Sequence, residues 1–161
     1  MGYLRAVTGG NGLLSRGSGL VMVSFVVRRE VRVPRGLLLS IIRRIEDYPK
    51  YWHGHREVRI IDSSGDVFHV QVKFAFNGPL NHGEAYVRLT DDGVAFNFVK
   101  GPFKGLHRVR VGDGELVSEW DIKLHPLLTP VKGWVINHFR EGAEHALDRI
   151  VKEAEAHLSG A

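Results

Sequence analysis

From Pro130 to His157 the chain reads PVKGWVINHFREGAEHALDRIVKEAEAH. Val135, Phe139, Gly142, Ala143, Ala146, Leu147, Ile150 and Ala154 fall on one stripe at helical spacing, with Arg140, Glu141, Glu144, Asp148 and Lys152 opposite. This predicts a long terminal helix, from about 130 to 157, lying on a partner surface. The middle of its stripe is small. Glycine inside a helix costs about 1 kcal/mol against alanine, so Gly142, Ala143 and Ala146 read either as close packing or as empty space.

The partner surface lies upstream. Phe68, Val70, Val72, Phe74 and Phe76 alternate with polar residues, as do Leu116, Trp120, Ile122 and Leu124. A period of two with one apolar face is the mark of half-buried antiparallel strands. Turn signals at 63–66, 77–79, 91–93, 101–105 and 112–114 cut the region into short neighbouring strands. Further back, Phe25, Val27, Val31 and Val33 predict a first strand from about 23 to 33, ending at Pro34. Leu37, Leu38, Ile41, Ile42 and Ile45 then recur at helical spacing before Pro49, and Asp47 to Trp52 suggest an aromatic turn. The expected order is strand, short helix pair, six more strands and a terminal helix: an α+β fold with a seven-stranded antiparallel sheet around the last helix.

That order and three stretches resemble the START and polyketide cyclase/dehydrase superfamily of helix-grip domains. The stretches are Ile45 with Asp47-Tyr48-Pro49 and Tyr51-Trp52; Val99-Lys100-Gly101-Pro102-Phe103-Lys104-Gly105-Leu106; and Asp121-Ile122-Lys123-Leu124 with Pro126, followed by Phe139, Ala143 and Leu147. Within the superfamily the pattern is most similar to coenzyme-Q-binding START-like proteins, with the CoxG-like family of carbon monoxide dehydrogenase as a more distant cousin. The resemblance implies one START-like domain over 23–158 that binds a lipophilic guest such as a quinone, an isoprenoid or a lipid. Trp120 departs from the pattern, which has a smaller aliphatic there, and its bulk would shrink a pocket.

The expected guest contacts come from Phe74, Phe76, Phe96, Phe98 and Trp120 of the sheet and from Phe139, Gly142, Ala143 and Ala146 of the helix. Trp52 and Phe103, like Trp134, stand at element ends, where pocket mouths and membrane rims occur. Lys100, Lys104 and Lys132 beside them suit peripheral contact with an anionic membrane. Strand phase turns Arg29 and His107 inward, where a buried charge costs several kcal/mol unless paired. Each reads either as a contact to a guest oxygen, together with Asn97, or as a residue that a β-bulge or strand end turns to solvent or that pairs structurally with a carboxylate.

No nucleophile elbow, phosphate loop or dinucleotide fingerprint is present, and no acid/base pair is legible, so no catalytic residue is assigned. His53 with His55, and His138, Glu141 and His145, have spacings that permit a metal but no full ligand set, so no metal is assigned. No cofactor is expected beyond a bound quinone or lipid. A non-catalytic carrier is therefore the first reading: at about 25 cal/mol per Å², a guest burying a few hundred Å² reaches micromolar affinity. A cyclase, dehydratase or hydrolase using the same pocket is the second.

A third is a ribosome- or RNA-associated protein, prompted by the net charge of +4 and pI near 9.6. The basic residues alternate with apolar ones without forming a tract, which argues against nucleic acid. The 161 residues suffice for one core, and no apolar run reaches the roughly 20 residues of a membrane span. The lack of cysteine points to the cytosol and, with the excess of arginine over lysine, suits a thermophile or a GC-rich genome. Residues 1–22 read as an extension outside the fold, with Met22 as the natural start; glycines from Gly9 to Gly19 interrupt any signal-peptide core. Oligomeric state is not legible.

Overall fold

Each alternating stretch becomes a strand in the computed structural model, which describes residues 20–160. The strands are β1 (Met22–Glu30), β2 (His55–Ser64), β3 (Val67–Phe74), β4 (His82–Thr90), β5 (Gly93–Lys100), β6 (Phe103–Val111) and β7 (Glu115–Leu124). They form one antiparallel sheet in the order β1-β7-β6-β5-β4-β3-β2, so every neighbour except β1 with β7 is joined by a hairpin. Helix α1 (Arg35–Ile42) and a 3-10 turn (Ile45–Lys50) follow β1, and helix α2 (Lys132–Ser159) ends the chain. This is the helix-grip arrangement expected from the alternation and the terminal stripe.

Strand β1 ends at Glu30, short of the expected Val33; Val31 N still donates to Gly114 O at 3.0 Å, and Pro34 then leads into α1. The terminal helix begins at Lys132 rather than Pro130. Pro126 and Pro130 lack amide donors, and residues Pro126–Val131 form a 3-10 turn instead, whose Leu127 N donates to His125 Nδ1 at 3.2 Å. The reading of residues 1–22 as an extension falls mostly outside the described residues. Of those at its end, Val21 O accepts from Leu124 N at 2.9 Å and Met22 opens β1.

The core lies between the sheet's inner face and α2, whose Val135, Ala143, Ala146, Leu147, Ile150 and Ala154 are buried. Three polar contacts fix the C-terminal half of α2. Arg29 Nε donates to Asp148 Oδ1 at 2.7 Å, Arg149 Nη1 donates to Tyr51 O at 2.7 Å, and Tyr51 Oη donates to Glu153. The α1 end is closed by Tyr48, fully buried, whose hydroxyl donates to Ile42 O at 2.7 Å.

Ala143 and Ala146 are completely buried, so they serve close packing, whereas a Cβ added at Gly142 would meet no atom within 4 Å. Gly142 is thus a helix-interior glycine beside open space. Gly142→Ala is expected to raise stability by about 0.5–1 kcal/mol through the helix propensity gained. Chemical denaturation of the two proteins checks this, and a destabilised variant would show that the gap closes on the helix.

Candidate functional site

Register places one aromatic rung across the inner face of the sheet. Phe96 on β5 pairs with His107 on β6, His107 with Trp120 on β7, and Trp120 with Phe25 on β1. The His107 imidazole stacks on the Trp120 indole with centroids 3.7 Å apart, and Trp52 meets it edge-on at 5.0 Å. A second group of rings lies beside this rung: Phe103 contacts Phe98 at 4.7 Å, Phe74 at 5.4 Å and Phe139 of α2 at 5.2 Å. Gly105 allows β6 to lie this close to β7. Its φ is +126° and an added Cβ would stand 2.4 Å from Asp121 O, so no other residue fits.

Inside this shell the polar groups are few and their accounting does not close. His107 Nε2 lies 2.9 Å from Ser118 Oγ, and Trp120 Nε1 donates to the same oxygen at 3.1 Å. Ser118 accepts from the indole and has its own proton to give. Donated to Nε2, it leaves the imidazole proton on Nδ1. His107 Nδ1, Trp52 Nε1 and His55 Nε2 are all buried and have no hydrogen-bond partner among the described residues. An unmet buried polar group costs about 1–3 kcal/mol, so three in one shell mark a place where a guest or water would be held by hydrogen bonds.

Burial also decides the charge state. Desolvation pushes His55 down to about 4, and it holds His107 well below the usual imidazole range, with the nearby His55 acting in the same direction. Both rings are neutral at pH 7. Removal from water raises the Tyr48 phenol well above its ordinary value, so it too stays neutral.

Of the residues expected to face a guest, Trp52, Phe74, Phe96, Phe98, Phe103, His107 and Trp120 do converge on this shell, and Phe139 closes it from α2 half-buried. Trp120 fills its centre, as its bulk suggested. Three expected contacts stand elsewhere. Asn97 lies between Phe96 and Phe98 on the opposite, exposed face of β5. Phe76 lies beyond the end of β3 and is exposed, touching the shell only through Phe74. Arg29 does turn inward, but its guanidinium is committed to Asp148 and to Arg28 O.

Two polar members were not expected. Ser118 sits in the inward series Leu116, Ser118, Trp120 and was legible from that alternation. His55 was not, because the register shifts between His55 and Glu57 and breaks the phase of β2. Among the described residues no three His, Cys, Asp or Glu side chains are placed to hold a metal. On the opposite face of the sheet a groove of about 440 Å³ is lined by Glu57, Arg59, Lys73, His82, Glu84 and Lys100, a mixed-charge lining unlike the aromatic shell.

Solved structures share the architecture. The aromatase/cyclase Zhui from a Streptomyces species superposes with a TM-score of 0.62 at 15% identity, over 86% of this chain and 96% of that one. Norcoclaurine synthase from Thalictrum flavum gives 0.57 at 14% identity, over 86% and 96%. A STAR-related lipid transfer protein from Xanthomonas axonopodis gives 0.52 at 8% identity, over 88% and 96%. At these identities the likeness is one of fold alone. No curated protein matches the chain significantly in sequence. A family model does: that of polyketide cyclase/dehydrase and lipid transport proteins matches residues 31–147, from the end of β1 into α2, and the chain belongs to that family.

Proposed function

We propose that the protein binds a lipophilic small molecule that carries an acceptor oxygen, and carries or chaperones it without changing it. The observation that supports this reading most is the set of unpartnered polar atoms inside an otherwise aromatic shell. Trp52 Nε1 is a donor, and His107 Nδ1 is one when Ser118 gives its proton to Nε2. The two rings stand 5.0 Å apart and suit a carbonyl or hydroxyl oxygen, while Phe74, Phe98 and Phe103 suit an apolar body. A quinone with an isoprenoid tail has both parts, and a lipid or an isoprenoid alcohol has them in other proportions. Membership of a family described by both cyclisation and lipid transport fits a shell of this kind.

A second reading is favoured by the same two histidines. Both imidazoles are unprotonated and shielded from water, so a cyclase or dehydratase acting on an oxygenated guest would use His107 and His55 as proton acceptors, weakened by their burial. One experiment separates the two: native mass spectrometry of the purified protein, alone and after addition of a short-chain ubiquinone, with the extracted guest weighed. Ubiquinone has no hydroxyl to eliminate and so tests carriage alone; a β-hydroxy ketone added in its place is returned unchanged by a carrier and lighter by one water by a dehydratase. His107→Phe keeps the apolar area and removes the hydrogen bond, so quinone affinity is expected to fall about tenfold while a purely alkyl analogue is unaffected. Equal effects on both probes would show that the imidazole does not meet the head group.

A further inference from the structure

Three exposed apolar side chains outside the sheet gather at one place, the approach to α2, while Phe76 and Leu158 stand singly elsewhere. Leu127, Val131 and Trp134 are 68%, 48% and 65% exposed, on consecutive turns of the 3-10 segment and the first turn of the helix. Trp134 stacks on His138 with centroids 4.9 Å apart, so its indole lies along the helix surface. Exposed Leu, Val and Trp in a row cost solubility and call for a partner.

The segments around them are rich in basic side chains. From Ile122 to Arg140 the chain has Lys123, Lys132 and Arg140 and no carboxylate; Lys100 and Lys104 flank Phe103 in a second segment, Gly93 to Gly112, whose Arg108 and Arg110 farther along β6 pair with Glu119, and Lys100 also borders the groove that holds Glu57 and Glu84. The fold brings these two segments together. Phe103 pairs with Leu124 and Lys104 with Lys123, His125 N donates to Pro102 O at 2.8 Å, and Phe103 meets Phe139. Among the described residues Lys100, Lys104, Lys123 and Lys132 form no ion pair. The nearest carboxylate in sequence, Asp121, accepts from the Ser24 hydroxyl. The start of α2 has no side-chain cap and no acidic residue in its first turn, so the positive end of its dipole adds to the same field.

We propose that this end of the molecule docks on an anionic lipid bilayer, with Leu127, Val131 and Trp134 entering the headgroup region and Lys100, Lys104, Lys123 and Lys132 resting on lipid phosphates. Apolar side chains with a tryptophan among them favour the interface between acyl chains and water, and lysines with long stems reach the headgroups around it. Leu127 and Val131 have no counterpart in binding to RNA, where exposed aromatic rings and basic side chains suffice. The face does not depend on what the aromatic shell holds, and vesicles without a guest test it.

The tryptophans make the test direct. Trp52 and Trp120 are each only 4% exposed, so a shift of indole emission on adding vesicles reports Trp134. The full chain is mixed with vesicles of phosphatidylcholine alone, or of phosphatidylcholine and phosphatidylglycerol in equal parts, and followed by sedimentation and fluorescence. Partitioning into the anionic vesicles, weakened by salt and accompanied by a blue shift, is expected. Lys100→Glu with Lys104→Glu should lower the partition coefficient at least about tenfold, since each basic residue near such a surface contributes appreciably. Trp134→Ser should abolish the blue shift and weaken binding. All three positions are exposed, and circular dichroism confirms that the variants fold. No partitioning, or partitioning insensitive to both variants, overturns the proposal; so does retention on an RNA homopolymer with none on vesicles.

Discussion

Between pH 6.5 and about 4 the protein is expected to lose about 3 kcal/mol of folding stability through His55 alone. Burial lowers the pKa of this imidazole in the folded state to about 4, while the unfolded chain titrates near 6.5. Within that window the unfolded state binds the proton and the folded state does not, so stability falls as the pH falls. Above the window the contribution is complete, and below it the loss levels off. His107, shifted in the same direction, steepens the fall. Carboxylates in ion pairs add their own acid dependence, and His55→Leu separates the two: it keeps an apolar side chain against Phe74 and Phe98 but cannot titrate. Urea midpoints measured above and below the window should show the wild type losing markedly more than the variant. Parallel losses would mean that water or a counter-charge reaches His55 in the folded protein.

Trp120→Ala is expected to cost between about 3 and 5 kcal/mol, a large share of the stability of a domain this size. The indole is the hub of the shell, stacked on His107 and in ring contact with Phe25, Phe98, Phe103 and Phe139. It also supplies one of the hydrogen bonds to Ser118 Oγ. Truncation removes the packing of five neighbours and leaves a void that strands and helix cannot both close. Equilibrium denaturation measures the loss, and the same variant should take up small aromatic compounds more readily than the wild type. A loss below about 1 kcal/mol would show that the neighbouring rings collapse into the space.

The fold was legible because its signals are periodic and redundant. The inward series Val70, Val72, Phe74 and Leu116, Trp120, Ile122 fix the sheet's face, and the stripe from Val135 to Ala154 fixes the helix that covers it. The site was legible only where it follows the same period. Phe96, Phe98, His107 and Trp120 are phased with their strands, and that phase already turns Asn97 outward between two inward phenylalanines. Periodicity does not report ionic commitment. Arg29 points inward as its position requires, yet Asp148, 119 residues away in sequence, takes its guanidinium. Nor does it survive a bulge, which is why His55 shows in the sequence only as one of a pair of spaced histidines. The start of α2 was misplaced by two residues for a local reason, since prolines at 126 and 130 favour a tighter turn over an α-helical one.

The single pairing of β1 with β7 gives the molecule an uneven folding problem. The other pairings close short turns, such as the one between Val111 and Glu115, whereas Arg28 meets Glu115 from 87 residues away. Loop-closure entropy rises as the logarithm of length, so this one junction costs about 2 kcal/mol more to close than a ten-residue turn. The six-strand meander is expected to assemble from local contacts, with β1, the first strand among the described residues, placed last. Until then β7 is a bare edge, with Trp120 lacking the phenylalanine that later covers it.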